Sequence, residues 1–319
     1  MTECLDIQLV FASDKSYSSG LQIALASALA WIPVERIVHV HILDGGLDIQ
    51  AWHRLQQMAR RLHPQATLRR HDMRTSPIHT IEAYGGIGAL AFARLHIPEL
   101  IDAPRALYLD VDLLLLADLS TLFDQPLGDH WAAAVLDPLI RTLAADSPFP
   151  DGDQGKSTAP YFNSGVLLMD LEAWRRENIA PKAFVLLREY GPQCTYYDQT
   201  VLNHLLRGHW LELPNHWNFL SKHLSWSPTG GFNPTPTPAV LHYYAVVKPW
   251  ISAIEPFPAH RLWHRFARRC AGLNPLTQFN RLVLRQVLIQ GLRDRLLPAA
   301  ARERRALQAL LPPRRLMLY

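Results

Sequence analysis

Ala106-Leu-Tyr-Leu-Asp-Val-Asp-Leu-Leu-Leu-Leu116 is an apolar run interrupted by two aspartates with a valine between them. Its first part, Ala106–Leu109, reads as a buried strand ending in Asp110. Residues i and i+2 of a strand face the same way, so Asp110 and Asp112 are expected to reach one hard divalent cation together. Composition alone would make little of the pair. With 18 aspartates in 319 residues, about one Asp-x-Asp arises by chance, and two occur. Position separates them: this pair closes an apolar strand, and ligands of open α/β sheets gather at the carboxyl ends of strands. The plain alternative is two solvated carboxylates at a strand end.

Upstream, strands and helices alternate. Asp6–Ala12 reads as a buried strand, 18–31 as a helix stopped by Pro33, and Arg36–Leu43 as a second strand. A helix follows over about Asp48–Leu62, then a short strand at Thr67–His71 and a helical stretch at Leu90–Leu100. This order predicts an α/β fold with a mostly parallel sheet flanked by helices on both faces. Downstream the alternation loosens, with strands at Trp131–Leu136, Gly165–Met169 and Ala239–Tyr244 and helices near 171–177, 181–190 and 198–207. Ser227–Pro238 reads as a loop.

Composition bounds the function classes. Hydrophobic residues make up 49%, charged residues 19%, and the mean hydropathy is −0.03, which excludes disordered, collagenous and coiled-coil chains. Three scattered cysteines without CxxC spacing argue against a disulfide framework or a cysteine zinc site and fit a reducing compartment. The N-terminus does not read as a signal peptide, and no apolar run reaches the roughly 18 residues of a membrane span. The net charge of +4 is uneven. Residues 261–319 hold thirteen arginines against Asp294 and Glu303, a surplus of +11, so residues 1–260 carry −7. An acidic body with a basic tail is the pattern of a chain that meets nucleic acid or an anionic membrane.

Several motifs fail on inspection. Gly152–Ser157 imitates a phosphate-binding loop, but its first glycine would fall at Pro150. Asp151-Gly-Asp153 imitates a calcium loop whose closing acid would be Phe162. Gly85-Gly-Ile-Gly88 has the wrong spacing for a dinucleotide turn, and His39 and His41 share a strand face with no third ligand in view.

Taken in order, Val10-Phe-Ala-Ser-Asp14, Ala93-Arg-Leu95, Leu107–Asp112, Tyr161-Phe-Asn-Ser-Gly-Val-Leu-Leu-Met-Asp-Leu171, Tyr197-Asp-Gln-Thr200 and His242-Tyr-Tyr-Ala-Val-Val-Lys-Pro-Trp250 resemble the retaining glycosyltransferases of family 8 over roughly residues 6–255. That family includes bacterial lipopolysaccharide galactosyl- and glucosyltransferases related to glycogenin. The resemblance implies a GT-A-type, Rossmann-like fold in residues 1–257; from about Pro258 onward leucines and arginines interleave at helical spacing, so 258–319 reads by composition as a basic helical C-terminal segment.

The resemblance also implies roles. Asp110, Asp112 and His242 would hold manganese, or magnesium in its place. Lys248 would meet the diphosphate, Ala12 and Asp14 the uracil and ribose, and Val111 and Arg94 the donor, with Asp137 a further contact. Asn163, Asp198 and Gln199 would form the catalytic pocket around sugar and acceptor. Taken singly, Asn163 also reads as a turn residue, Lys248 as a surface lysine and His242 as a core histidine. Departures from the family pattern fall at Ala245, at Ser16 and in Gly88-Ala-Leu-Ala-Phe-Ala93, and they bear on donor identity more than on reaction class. In particular, a methyl at Ala245 stands where relatives usually carry glycine near the diphosphate.

The implied activity is transfer of a galactose or glucose, with retention, from a UDP-hexose to an envelope saccharide that is expected to be lipid-linked. Front-face attack, with the leaving phosphate oxygen as base, fits a pocket whose central residue is an amide. Two other readings are a sugar nucleotidyltransferase, which would want a basic glycine-rich loop after the first strand, and a catalytically silent surface-binding module. The tail is expected to place Leu262, Trp263 and Phe266 in a lipid interface with arginines toward anionic headgroups, giving a cytoplasmic protein on the inner face of the plasma membrane and no nucleic-acid partner; the plain alternative is a core-packing helix with a solvated arginine face.

Overall fold

A computed structural model describes residues 5–76, 89–150, 158–221, 237–244, 248–250 and 258–269. Gly85–Gly88, Asp151–Ser157, most of Ser227–Pro238, Ala245 and everything after Arg269 lie outside them.

The chain opens as β1 (Ile7–Ser13), α1 (Ser18–Trp31), β2 (Val38–Asp44), α2 (Ile49–Leu62) and β3 (Ala66–Asp72). Next come a 3₁₀ segment at Ala89–His96, α3 (Ile97–Leu100), β4 (Arg105–Leu109), β5 (Leu113–Leu115), α4 (Ser120–Phe123) and β6 (Ala132–Leu136). The second half holds β7 (Phe162–Asp170), α5 (Leu171–Arg176), α6 (Ile179–Tyr190), α7 (Asp198–Leu205), β8 (Trp210–Leu213), β9 (Phe219–Leu220), β10 (Val240–His242) and α8 (Pro258–Arg269).

Seven strands form the main sheet in the order β3-β2-β1-β4-β7-β6-β8. All neighbours pair parallel except β7, which runs antiparallel to β4 and β6. From β1 the chain builds outward to β3 and then returns to β4 on the other side of β1. That reversal opens a crevice at the carboxyl ends of β1 and β4. A small sheet, β5-β10-β9, stands beside it.

α1 joins the two sheets. Gly20–Ala30 are all buried, and the alanines and serines let the helix pack closely on either side. Ser27 Oγ donates to Ala24 O (3.0 Å) and accepts from Leu115 N (3.1 Å), while Trp31 Nε1 donates to Leu115 O (3.1 Å). α2 is instead amphipathic, burying Ala51, Leu55, Met58, Ala59 and Leu62, and Asp48 caps it by accepting from Ala51 N (2.7 Å). His39 and His41 are sheet histidines, with His41 buried between Gln8 and His71.

Three expectations change. Leu90–Leu100 is mainly a 3₁₀ segment, Ala89–His96, that passes into the short α3, and from it the Arg94 side chain turns inward to Asp110 and Asp198. Asp110 and Asp112 do not share a strand face, since β4 ends at Leu109 and both lie in the turn that carries the chain from the main sheet into β5. Finally, α8 does not present an apolar face outward. Ala259, Leu262, Trp263, Phe266 and Ala267 are at most 2% exposed and belong to the core that contains α1 and β1. The α8 stretch of the expected tail is therefore packed into the body. Burying a Trp and a Phe this fully typically stabilises by about 3–5 kcal/mol each relative to alanine.

Candidate active site

Side chains from distant parts of the chain meet where β4 passes into β5. Asp110 is anchored by its backbone N–H to Gly165 O (2.9 Å), and Asp112 O accepts from Tyr243 N (2.9 Å). The turn is thus clamped between β7 and β10. One ligand atom each from Asp110, Asp112 and His242 lie within 4.8 Å of one another. His242 Nε2 is 3.3 Å from Asp112 Oδ1 and 4.0 Å from Asp110 Oδ2. Two carboxylates and an imidazole suit a hard or borderline divalent cation.

Gly165 confirms that the space in front of them is shaped: a Cβ there would stand 2.6 Å from His242 Cε1 and 2.8 Å from Asp110 Oδ2. A divalent metal fits these residues. Lys248 Nζ donates to Asp112 Oδ2 (2.6 Å) and to Tyr243 O (2.8 Å). Burial works to raise the Asp112 pKa, but the His242 imidazole and the Lys248 ammonium outweigh it and hold the carboxyl well below the usual range.

Arg94 enters from the 3₁₀ segment and is 5% exposed. Its Nη2 donates to Asp110 Oδ1 (3.2 Å), its Nη1 to Ser164 O (2.8 Å) and Oγ (2.9 Å), and its guanidinium lies over the Tyr108 ring at 4.3 Å. Arg94 Nε is 3.0 Å from Asp198 Oδ2, although that N–H is aligned on Ala91 O (3.1 Å). Asp198 is buried, and desolvation pushes its pKa up to about 6 despite Arg94 pulling the other way, with Asp110 adding to the rise.

Next to this lies a set of amides gathered on one carboxylate, Asp137. β7 is irregular where it passes β6: Ala134 pairs with Leu167 but Val135 with Asn163, so Ser164, Gly165 and Val166 bulge out of the ladder. Ser164 N donates to Gln199 Oε1 (2.9 Å). Gln199 Nε2 (3.2 Å) and Asn163 Nδ2 (3.0 Å) both donate to Asp137 Oδ2, and Asp137 Oδ1 accepts from Leu139 N (2.8 Å) and Ile140 N (3.0 Å).

The structure thus brings together Asp110, Asp112, His242, Lys248, Arg94, Asp198, Asn163, Asp137 and Gln199. Ala12 and Asp14 stand at the same crevice. The β1–β4 register, Leu9 with Leu107 and Val10 with Tyr108, sets Ala12 level with Asp110 when extended. Asp14 Oδ1 accepts from Ser16 N (2.8 Å) and Tyr17 N (3.1 Å), ordering the start of α1. The Val111 side chain is in the core beside α1. Its carbonyl oxygen and the Trp250 ring both approach Gly20, where a Cβ would meet each at 2.7 Å.

Tyr108, Ser164 and Asn218 were missed from sequence. The first two lie inside the motifs quoted above. Asn218, 2% exposed, carried only a weak signal: an amide just before the apolar pair Phe219-Leu220.

The fold and this edge-of-sheet cluster define a GT-A-like α/β protein, as comparison bears out. The galactosyltransferase LgtC, solved in complex with donor and acceptor sugar analogues, superposes with a TM-score of 0.67 at 26% identity over 82% of this chain and 95% of that one. GlyE of Streptococcus pneumoniae TIGR4 shares the fold at 22% identity, with a TM-score of 0.61 over 86% of this chain and 62% of that one.

Residues 8–253 match the model of glycosyl transferase family 8, and the chain belongs to that family. General stress protein A of Bacillus subtilis strain 168 is 29% identical over 77% of this chain and 88% of its own length. Glycosyltransferase GlyA of Streptococcus pneumoniae is 30% identical over 51% of this chain, which spans only 22% of that longer protein.

Proposed function

We propose that the protein is a metal-dependent retaining hexosyltransferase that takes galactose or glucose from a UDP-hexose and passes it to a saccharide acceptor. The observation that carries this reading is the convergence of Asp110, Asp112 and His242 beside Lys248 at the β1/β4 crevice, next to the Asn163 and Gln199 amides held by Asp137. Family membership and likeness to LgtC, which binds donor and acceptor sugar analogues, support it.

A bound manganese or magnesium ion would supply Lewis-acid neutralisation of the leaving diphosphate. Lys248 adds a compact positive charge on the same side. Ala12 and Asp14 border the place for the nucleoside, and Arg94 steadies Asp110 and Asp198. Asn163 and Gln199, both held by Asp137, orient the hexose. Asp198 is 4% exposed and committed to Arg94, so it is poorly placed to attack a sugar carbon. Front-face attack follows: the acceptor oxygen bonds to the anomeric carbon on the face that UDP leaves, and its proton passes to the departing phosphate oxygen.

Calorimetric titration with UDP, with and without manganese, tests the core of this reading. Metal-dependent UDP binding is expected, together with hydrolysis of one UDP-hexose from a panel in the absence of acceptor. No binding under either condition would sink it.

The arginine surplus after residue 269 supports a further part of the proposal, a peripheral position on an anionic, cytoplasm-facing membrane where a lipid-linked acceptor resides. No helix among the described residues is long and apolar enough to cross a membrane. Truncation after Arg269, which spares α8, should keep donor hydrolysis and abolish sedimentation with anionic vesicles. Equal pelleting of both forms would remove this part alone.

A further inference from the structure

The hydrogen bonds around Asn218 have a direction that can be read from groups whose roles are unambiguous. A carboxylate only accepts, and a backbone N–H only donates. Asp137 Oδ2 therefore receives the Asn163 amide at 3.0 Å, which makes that atom of Asn163 its nitrogen. The other end of Asn163 is then its oxygen, and it accepts from Gly165 N at 3.0 Å as the backbone requires. That same oxygen lies 2.7 Å from Asn218 Nδ2, so Asn218 must donate there. Asn218 Oδ1 is left facing His242 Nδ1 at 2.9 Å, and an oxygen can only accept. His242 Nδ1 must carry a proton.

We infer that Asn218 is a positioning residue for the metal histidine: through Asp137 and Asn163 it fixes the proton of His242 on Nδ1, so that Nε2 is the nitrogen free to offer a lone pair beside Asp110 and Asp112. The inference rests on the metal reading above and extends it to a residue outside the ligand set, which reaches the site through His242. The consequence is chemical. A neutral imidazole carries one proton, and if that proton sat on Nε2 it would point at Asp112 Oδ1 and have to leave before a cation could bind. Outer hydrogen bonds of this kind typically matter by 10–100-fold in metal affinity.

The same chain links two functions. Asp137 Oδ2 also holds Gln199, so a single carboxylate oxygen sets the orientation of the amide pocket and, two amides further on, the tautomer of a metal ligand. Asn218 is suited to this because it ends the 3₁₀ segment Asn215–Asn218 immediately before β9, which pairs parallel with β10 and places Leu220 opposite His242.

The test is nitrogen NMR of the full-length, metal-free protein with labelled histidine, read where His242 is neutral. In the wild type, Nδ1 is expected to be the protonated nitrogen and Nε2 the bare one. In Asn218→Leu, Nε2 is expected to take the proton and donate to Asp112, and calorimetry should show manganese affinity lowered roughly 10–100-fold. Asn218→Asp keeps an acceptor for Nδ1 and should retain both the wild-type tautomer and most of the affinity, although it now repels Asn163 Oδ1.

A wild-type His242 protonated on Nε2 would overturn the inference without any variant having to fold. So would an Asn218→Leu protein with unchanged tautomer and affinity. Because the tautomer is read without metal, a wild type that shows the Nδ1 proton yet binds no manganese would count against the metal reading and in favour of the relay.

Discussion

Asp110, Asp112 and His242 turn charged or basic atoms toward one point, whereas the nearby Asp137, Asn163, Ser164 and Gln199 have a donor for every acceptor. In the first group Arg94 and the Tyr108 hydroxyl donate to Asp110 Oδ1 and Lys248 donates to Asp112 Oδ2, while Asp110 Oδ2 and Asp112 Oδ1 face His242 Nε2 at 4.0 and 3.3 Å. In the second, both oxygens of Asp137 and the carbonyl oxygens of Asn163 and Gln199 are all engaged. Two carboxylates and an imidazole facing one point suit a cation, while a satisfied network around two amides holds its orientation by its own hydrogen bonds. One corner supplies electrostatics and the other supplies geometry, so the two should fail differently when altered.

The largest effect is expected at the metal corner. Asp110→Asn or Asp112→Asn keeps volume but removes charge from the ligand set, and transfer should fall by roughly 10³-fold or more with the thermal transition little changed. Wild-type turnover of either variant at saturating manganese would remove the metal assignment.

Next comes Gly165→Ala, on the border between the corners. Its new methyl must displace the His242 ring and the Asp110 carboxylate, both held by partners of their own, and a displacement approaching 1 Å can cost about 10²-fold in rate. Weakened manganese binding by calorimetry should accompany the loss, and unaltered affinity would show that the space is not used.

Gln199→Ala should be milder in chemistry. It removes orientation without removing charge, and it strands the buried Ser164 N–H at a cost of about 1–3 kcal/mol. Turnover should drop substantially yet remain measurable, with metal affinity unchanged. A covalent glycosyl adduct trapped on Gln199 or Asp198 would contradict the orienting role.

The smallest change expected is a pH effect that joins the corners through Arg94. Asp198 has its pKa raised to about 6 by burial, so the folded protein retains a proton there that the unfolded chain loses near pH 4. That contribution to stability is fully present below the unfolded value and is lost as pH rises through about 6. Ionised Asp198 is the form that pairs with Arg94, so transfer should rise as pH climbs through the same window. Asp198→Asn should flatten the limb, and a profile identical to wild type would rule the assignment out.

α8 widens the comparison to the whole chain. Leucines and arginines at helical spacing made residues 258–269 look like the start of a membrane-facing tail. The same spacing serves a helix packed on α1, and the Tyr243 hydroxyl, next to His242, donates to Ala259 O (2.7 Å) while Trp250 meets Trp263 at 5.9 Å. An apolar stripe states that a face will be covered and is silent about what covers it.

From the sequence alone came the alternation of strands and helices, the placement of Asp110 at the carboxyl end of a core strand, and the ordered motifs that carried Arg94, Asn163, Asp198, Gln199, His242 and Lys248. These are local properties: periodicity, a charge pair against an apolar background, and short patterns read residue by residue. Tertiary structure decided the rest. It turned Asp110 and Asp112 toward one point through a turn between two sheets, where alternation along a strand had been expected to do so. It reversed β7 within an otherwise parallel sheet and bulged it at Ser164. It brought Asn218 against His242, 24 residues away, in a chain of hydrogen bonds that begins at Asp137. Contacts of that range depend on which elements become neighbours, and the packing of the core settles that before any polar pair can form.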